Sequence, residues 1–204
     1  MDPMAKHWNT IYSAKRPNEV SWTQEVPLTS LELIHNFNLP LTARIIDVGG
    51  GESKLVDCLL DEGYQNITVL DISEAALKKV KSRLGKRAEQ VKWIVADVTE
   101  FKPEETYDLW HDRATFHFLV NAAQIEQYLS VAKKAGVQYL TIGTFSENGP
   151  TKCSGLEIKQ YSEEQLQTQL SRSFEKLKCI TEDHITPFHT KQNFLFCSFK
   201  RKVA

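Results

Sequence analysis

A chain of 204 residues with 41% hydrophobic residues has the size and composition of one folded domain around a single core, with no room for a separate substrate domain. Its formal net charge of −1, from 26 acidic and 25 basic side chains, argues against the clustered positive surface of a nucleic-acid binder, so no nucleic-acid partner is expected. The N-terminus has no apolar signal core and no run approaches the ~18–20 apolar residues that span a bilayer, so a soluble, cytoplasmic protein without membrane attachment is expected.

Taken in chain order, the first recognisable feature is the pair Trp8 and Tyr12, spaced i, i+4 and therefore expected to form the packing face of a helix. Strands are predicted at Arg44–Val48, Ile67–Asp71, Val91–Val95, Tyr107–His111 and Val137–Phe145, alternating with helical runs as in a doubly wound α/β sheet. One helix opens at the Ser73 cap, carries Leu77, Val80 and Leu84 at helical spacing and stops at Gly85; another runs over Ala122–Ala135 and stops at Gly136. Asn148-Gly149-Pro150 signals a turn, Thr151–Tyr161 reads as a loop, and Ser162 caps a further helix with Glu163 and Glu164 in its first turn. Lys176–Ile185 and Asn193–Lys200, joined by TPFHTKQ, form a predicted antiparallel hairpin on the sheet edge. Cys58, Cys153, Cys179 and Cys197 have no metal-knuckle spacing and are expected as free thiols; no histidine pair has a metal motif, so no metal is expected.

The chemistry concentrates in Ile45–Ser53, IIDVGGGES, where an apolar strand runs into an acid and three glycines. Glycine permits positive φ and close approach of backbone to ligand, and the helix that follows offers unpaired N–H groups. The next strand, NITVLD, closes on Asp71, near the ~20-residue spacing of an acid that binds ribose hydroxyls in a βαβ unit. The third glycine of a dinucleotide fingerprint is missing, and Glu52 would set an anion beside a pyrophosphate, so a nucleotide-like cofactor without phosphates, such as S-adenosyl-L-methionine, suits the turn better.

These residues resemble the class I S-adenosylmethionine-dependent methyltransferase family over roughly Trp8 to Lys200. Asp47-Val48-Gly49-Gly50-Gly51 is similar to its first motif, Asp71 to its second acid, Val91–Val98 to the strand and acid beside the adenine, and Tyr107–Arg113 to the strand at the reaction centre. WHDRATFHFL and GPTKCSGLEIKQYS also resemble a short, thiopurine-methyltransferase-like subgroup. The resemblance implies a Rossmann-like sheet of seven strands, mostly parallel with a C-terminal antiparallel hairpin. It also implies a single domain in which residues 1–40 form a helical lid and 41–204 the cofactor-binding core.

The cofactor-binding residues it implies are Trp22 over the sulfonium, with ordinary packing as its alternative, Asp47, Gly49, Gly51 and Ser53 at the methionine end, Asp71 at the ribose, Asp97 and Val98 at the adenine, and also Ile72. Asp112 is expected to orient substrate or the cofactor ammonium, Arg113 to hold an anionic group by two parallel hydrogen bonds, and His117 to act as a base; a structural salt bridge is the alternative for Asp112 and Arg113. Gly50 reads as a turn residue, and His111, His184 and His189 are further candidate bases. The acceptor is expected to be a small molecule, with a protein lysine side chain as runner-up. A nicotinamide-dependent oxidoreductase and a non-catalytic cofactor-binding protein are the rivals from other classes.

Overall fold

The computed structural model describes residues 2–202. A seven-stranded sheet is built from β1 (Arg44–Val48), β2 (Asn66–Asp71), β3 (Val91–Val95), β4 (Leu109–Arg113), β5 (Tyr139–Phe145), β8 (Phe174–Ile185) and β9 (Lys191–Arg201). Its order is β3-β2-β1-β4-β5-β9-β8, parallel throughout except at β9 and β8, which run antiparallel to their neighbours. The doubly wound Rossmann-like sheet with a reversed C-terminal hairpin is therefore observed as the sequence predicted. The switch in strand order at β1 and β4 opens a crevice at their carboxyl ends, where sheets of this type bind ligands.

Helices cover both faces. α1 (Pro3–Ala14) starts at Asp2, whose side chain accepts from the Met4 N–H, and α2 (Leu28–His35) buries Ser30, Leu31, Leu33 and Ile34. α3 (Leu55–Asp61) follows the glycine turn. α4 (Glu74–Leu84) is capped by Ser73, buries Ala76, Leu77, Val80 and Leu84, and ends at Gly85 with φ +57°. α5 (Ala122–Lys134) opens on a reciprocal Asn121–Gln124 cap, and α6 (Glu163–Leu170) on a Ser162–Gln165 cap.

Three differences from expectation go beyond a residue or two at an element's end or bear on the site. The fourth strand spans Leu109–Arg113 rather than Tyr107–His111, because Tyr107 turns in to bond the Ala135 carbonyl and only Leu109 onward pairs with β1 and β5. The predicted loop after residue 150 contains a small hairpin, β6 (Lys152–Cys153) and β7 (Leu156–Glu157). Cys179 and Cys197 are not free thiols: the β8–β9 register sets them directly opposite each other, joined as a disulfide, while Cys58 and Cys153 are free. Their separation in sequence concealed a pairing that only the register produces. Among the described residues no helix is long and apolar enough to cross a membrane, and no group of acids, histidines and cysteines could hold a metal.

Candidate active site

The turn after β1 is held from both sides. The N–H groups of Gly49 and Gly50 donate to the Leu70 carbonyl on β2 at 2.7 and 3.3 Å, and the Gly51 N–H donates to Asp71 Oδ2 at 2.8 Å. Gly49 has φ +65°, and a Cβ there would stand 1.7 Å from Thr115 Oγ1. At Gly51, φ is +48° and a Cβ would meet the Tyr12 hydroxyl at 2.4 Å. Gly50 is more than a turn residue: a Cβ would collide with Val69 and with Asp47 Oδ2, and the residue lines the cavity.

Above this turn lies a cavity of about 380 Å³. Its walls include Asp47, Gly49, Ser53, Asp71, Ile72, Asp97, Val98 and Arg113 from the sequence-predicted set, and Trp22 closes it from the N-terminal side. Asp71 is buried, accepting from Gly51 N–H and, through Oδ1, from Ser73 N–H at 2.7 Å. Burial pushes its carboxyl up to about 6 against the pull of those two N–H donors. Asp97 Oδ1 receives the Thr99 N–H and hydroxyl at 2.7 and 2.6 Å, making the turn after β3 while the residue lines the cavity. Ser53 Oγ accepts from Leu55 N–H at the start of α3.

Strand alternation sorts the end of β4. Successive side chains of a strand face opposite ways. His111 and Arg113 face the cavity, and Trp110 and Asp112 face α5, where Trp110 Nε1 and Asp112 Oδ2 both meet the Tyr128 hydroxyl at 2.8 Å. Asp112 Oδ1 takes the N–H groups of Thr115 and Phe116 at 3.0 and 3.2 Å. The expectation that Asp112 touches cofactor or substrate therefore fails: it is fully buried on the far face, with both oxygens engaged. Burial raises its carboxyl to about 6, offset by Tyr128 and the two N–H donors.

His117 is also misplaced by the sequence reading. It lies in the single 3-10 turn Phe116–Phe118, fully buried, stacked on Phe145 at 4.6 Å, with neither ring nitrogen hydrogen-bonded. Burial, with Arg113 nearby, lowers it to about 3, so it stays neutral and does not collect a proton at pH 7. Gly51 does not line the cavity; its place is beneath Tyr12. His189 is exposed in the β8–β9 turn, and His184 bonds the Ser21 carbonyl at 2.7 Å.

His111, one of the candidate bases, occupies a more informative position than His117. Its Nδ1 lies 2.7 Å from Asp47 Oδ1 and its Nε2 2.9 Å from Ser30 Oγ, forming a buried chain from β1 across β4 to α2. The β1–β4 register, which pairs Asp47 with His111, brings it about. Trp8 and Tyr12 were expected only to pack; both line the cavity as well, with Trp8 5.8 Å from Trp22 and 5.2 Å from Phe118 in edge contacts. Asn9 anchors this N-terminal cover, its Oδ1 accepting from Ser73 Oγ at 3.0 Å and Ala75 N–H at 2.9 Å at the start of α4.

Residues 45–136 match the model of a family described as methyltransferase domain. The match runs from β1 through α5, the part of the chain that carries the glycine turn, Asp71, Asp97 and Arg113. A mouse protein named eEF1A lysine and N-terminal methyltransferase is 29% identical over 112 residues, which cover 54% of this chain and 16% of that protein. Malonyl-[acyl-carrier protein] O-methyltransferase 2 of Ilyobacter polytropus is 31% identical over 93 residues, covering 45% of this chain and 36% of that one. The chain thus spans well under two thirds of the length of these curated relatives. The solved structure of Burkholderia thailandensis 1,6-didemethyltoxoflavin-N1-methyltransferase, with bound 1,6-didemethyltoxoflavin and S-adenosylhomocysteine, superposes with a TM-score of 0.70 at 20% identity over 89% of this chain and 81% of that one, a likeness of fold.

The methyltransferase cofactor is S-adenosyl-L-methionine, and the cavity wall fits it. The positive-φ turn at Gly49 lets backbone approach a ligand without side-chain obstruction. Asp47 Oδ2 is the one buried carboxylate oxygen without a hydrogen-bond donor among the described residues, and suits the cofactor's ammonium. Each Asp71 oxygen accepts one N–H and retains a lone pair for a ribose hydroxyl.

Proposed function

We propose that the protein transfers the methyl group of S-adenosyl-L-methionine to a small-molecule acceptor. When bound, the cofactor supplies a methyl carbon on a sulfonium, whose bond to sulfur breaks with its electron pair as an acceptor lone pair bonds the carbon. The chain's own part is positioning and exclusion of water, which suffices for much of the acceleration of such a displacement. Asp71 and Asp97 hold the nucleoside end, Ile72 and Val98 pack beside it, and the Gly49 turn with Asp47 and Ser53 holds the methionine end. His111, fixed between Asp47 and Ser30, keeps the Asp47 carboxylate oriented.

The observation that carries the choice of a small acceptor is the cover: α1 and the segment to Pro27 lay Trp8, Tyr12 and Trp22 over the cavity, and Arg113 ties that segment down by donating to the Trp22 carbonyl at 2.9 Å. An acceptor has to fit beneath these rings, and on the same ground we read the described part of residues 1–40 as a lid and that of 41–204 as the core of one domain. The resemblance to short thiopurine-methyltransferase-like enzymes supports the same reading. Transfer to a protein lysine is the second reading, favoured by the name of the mouse relative. A labelled-methyl assay on cell extract separated by size tests the choice: label in the low-mass fraction is expected, and label only in protein would overturn it.

A further inference from the structure

The cavity side of β4 ends in a cation that the protein leaves half satisfied. Arg113 Nη1 donates to the Trp22 carbonyl, but Nε and Nη2 are buried and meet no acceptor. Those two N–H groups share one edge of the guanidinium, the edge that grips both oxygens of a carboxylate in parallel. No ion pair to Arg113 forms among the described residues. Glu182, the acid that acts on it most strongly, is engaged by Gln24 Nε2 at 3.2 Å and by the Thr29 hydroxyl. A buried charge without a partner is costly to a folded chain, and a ligand of opposite charge offsets that cost.

The surroundings define the rest of the ligand. The Arg113 guanidinium lies over the Phe194 ring at 5.1 Å, and Phe194 packs in one apolar cluster with Phe145, Trp22 and Phe118, all of which line the cavity. In the sheet, β4 stands on the far side of β1 from β2 and β3, so Arg113 is at the opposite end of the cavity from Asp71 and Asp97. We propose that the methyl acceptor is a small aromatic carboxylic acid, its carboxylate gripped by the Nε and Nη2 edge of Arg113, its ring laid against the partly buried Trp22 and Phe118, and its methyl taken by a hydroxyl, thiol or nitrogen elsewhere on that molecule, which releases its proton if it carries one. This rests on the methyltransferase reading above. The carboxylate is the handle, because N–H donors that occupy its lone pairs make it a poor attacking group.

The test is calorimetry on the protein saturated with S-adenosylhomocysteine, titrated with benzoate, phenylacetate and indole-3-acetate, each beside its primary amide. At least one acid is expected to bind tenfold or more tightly than its amide, with the preference lost in Arg113→Met and not fully restored in Arg113→Lys, which keeps the charge without the fork. No acid preferred over its amide in the wild type overturns the proposal, whether or not the variants fold, as does a preference that survives Arg113→Met. Absence of any heat with S-adenosylhomocysteine overturns the methyltransferase reading and this proposal together. If S-adenosylhomocysteine binds normally and acids bind no better than amides, this proposal alone fails. Weakened S-adenosylhomocysteine binding in Arg113→Met, without an acid preference in the wild type, would assign the fork to the cofactor's own carboxylate.

Discussion

On the β1 and β2 side of the cavity most polar groups hold one another: the glycine turn donates to Leu70 and Asp71, Asp71 also receives Ser73, and Asp47 holds His111 through Oδ1, leaving only its Oδ2 without a donor. On the β4, β5 and β9 side, Arg113 keeps two free N–H groups, His117 has no partner, and the hydroxyls of Thr141 and Thr144 are buried without one. A satisfied network fixes a geometry before any ligand arrives, and of the unsatisfied groups on the second side only Arg113 lines the cavity, where a ligand can meet it. Two carboxylates sharpen the contrast. Asp71 and Asp112 are both buried and both pushed up to about 6, yet one faces the cavity and the other secures a turn against Tyr128. A shifted carboxyl marks burial; the direction of the side chain decides its role.

The largest effect is expected at the turn. Gly49→Ala adds a Cβ into Thr115 at a φ that L residues resist, and should cost roughly 2–5 kcal/mol of stability in a denaturant melt; a cost below 1 would show that the turn shifts freely. Next, Asp112→Ala leaves two N–H groups and the Tyr128 hydroxyl without their acceptor and should cost about 3 kcal/mol while S-adenosylhomocysteine affinity stays within a few-fold. An affinity loss without destabilisation would move Asp112 back into the site.

Arg113→Met tests the unsatisfied half. Removing a buried, unpaired charge should raise the stability of the unliganded protein by roughly 1–2 kcal/mol, read as a higher melting temperature. A fall of similar size would make the contact with Trp22 the guanidinium's main purpose.

A smaller effect concerns pH. With its carboxyl near 6, Asp71 takes up a proton as pH falls below that value, and a protonated carboxyl accepts fewer hydroxyl hydrogen bonds. S-adenosylhomocysteine affinity should then weaken by up to about tenfold per unit below pH 6. Calorimetry at pH 7.5 and 5 checks this, and the same slope in Asp71→Asn would trace it to another group.

The cofactor half was readable from the chain because its signals are local: a strand, three glycines and a strand-end acid lie in two short runs whose spacing survives folding. The other half depends on which way side chains point and on which distant strands meet. Alternation along WHDR was the available signal, since Arg113 facing the cavity sends Asp112 away and brings His111 in. The Cys179–Cys197 pairing and the Asp47–His111 contact come from register between strands, which no single run of sequence states. The aromatic cover had an ambiguous signature, because i, i+4 rings on a helix look the same whether they pack on protein or roof a cavity.

The most direct test is a calorimetric titration of wild type and Asp71→Ala with S-adenosylhomocysteine at pH 7.5. Saturable one-to-one binding by the wild type is expected, weakened in the variant by about 1–3 kcal/mol through loss of the acceptor for the ribose hydroxyls. No heat from the wild type, or equal affinity in both proteins, would contradict the assignment of the glycine turn and Asp71 as a cofactor site.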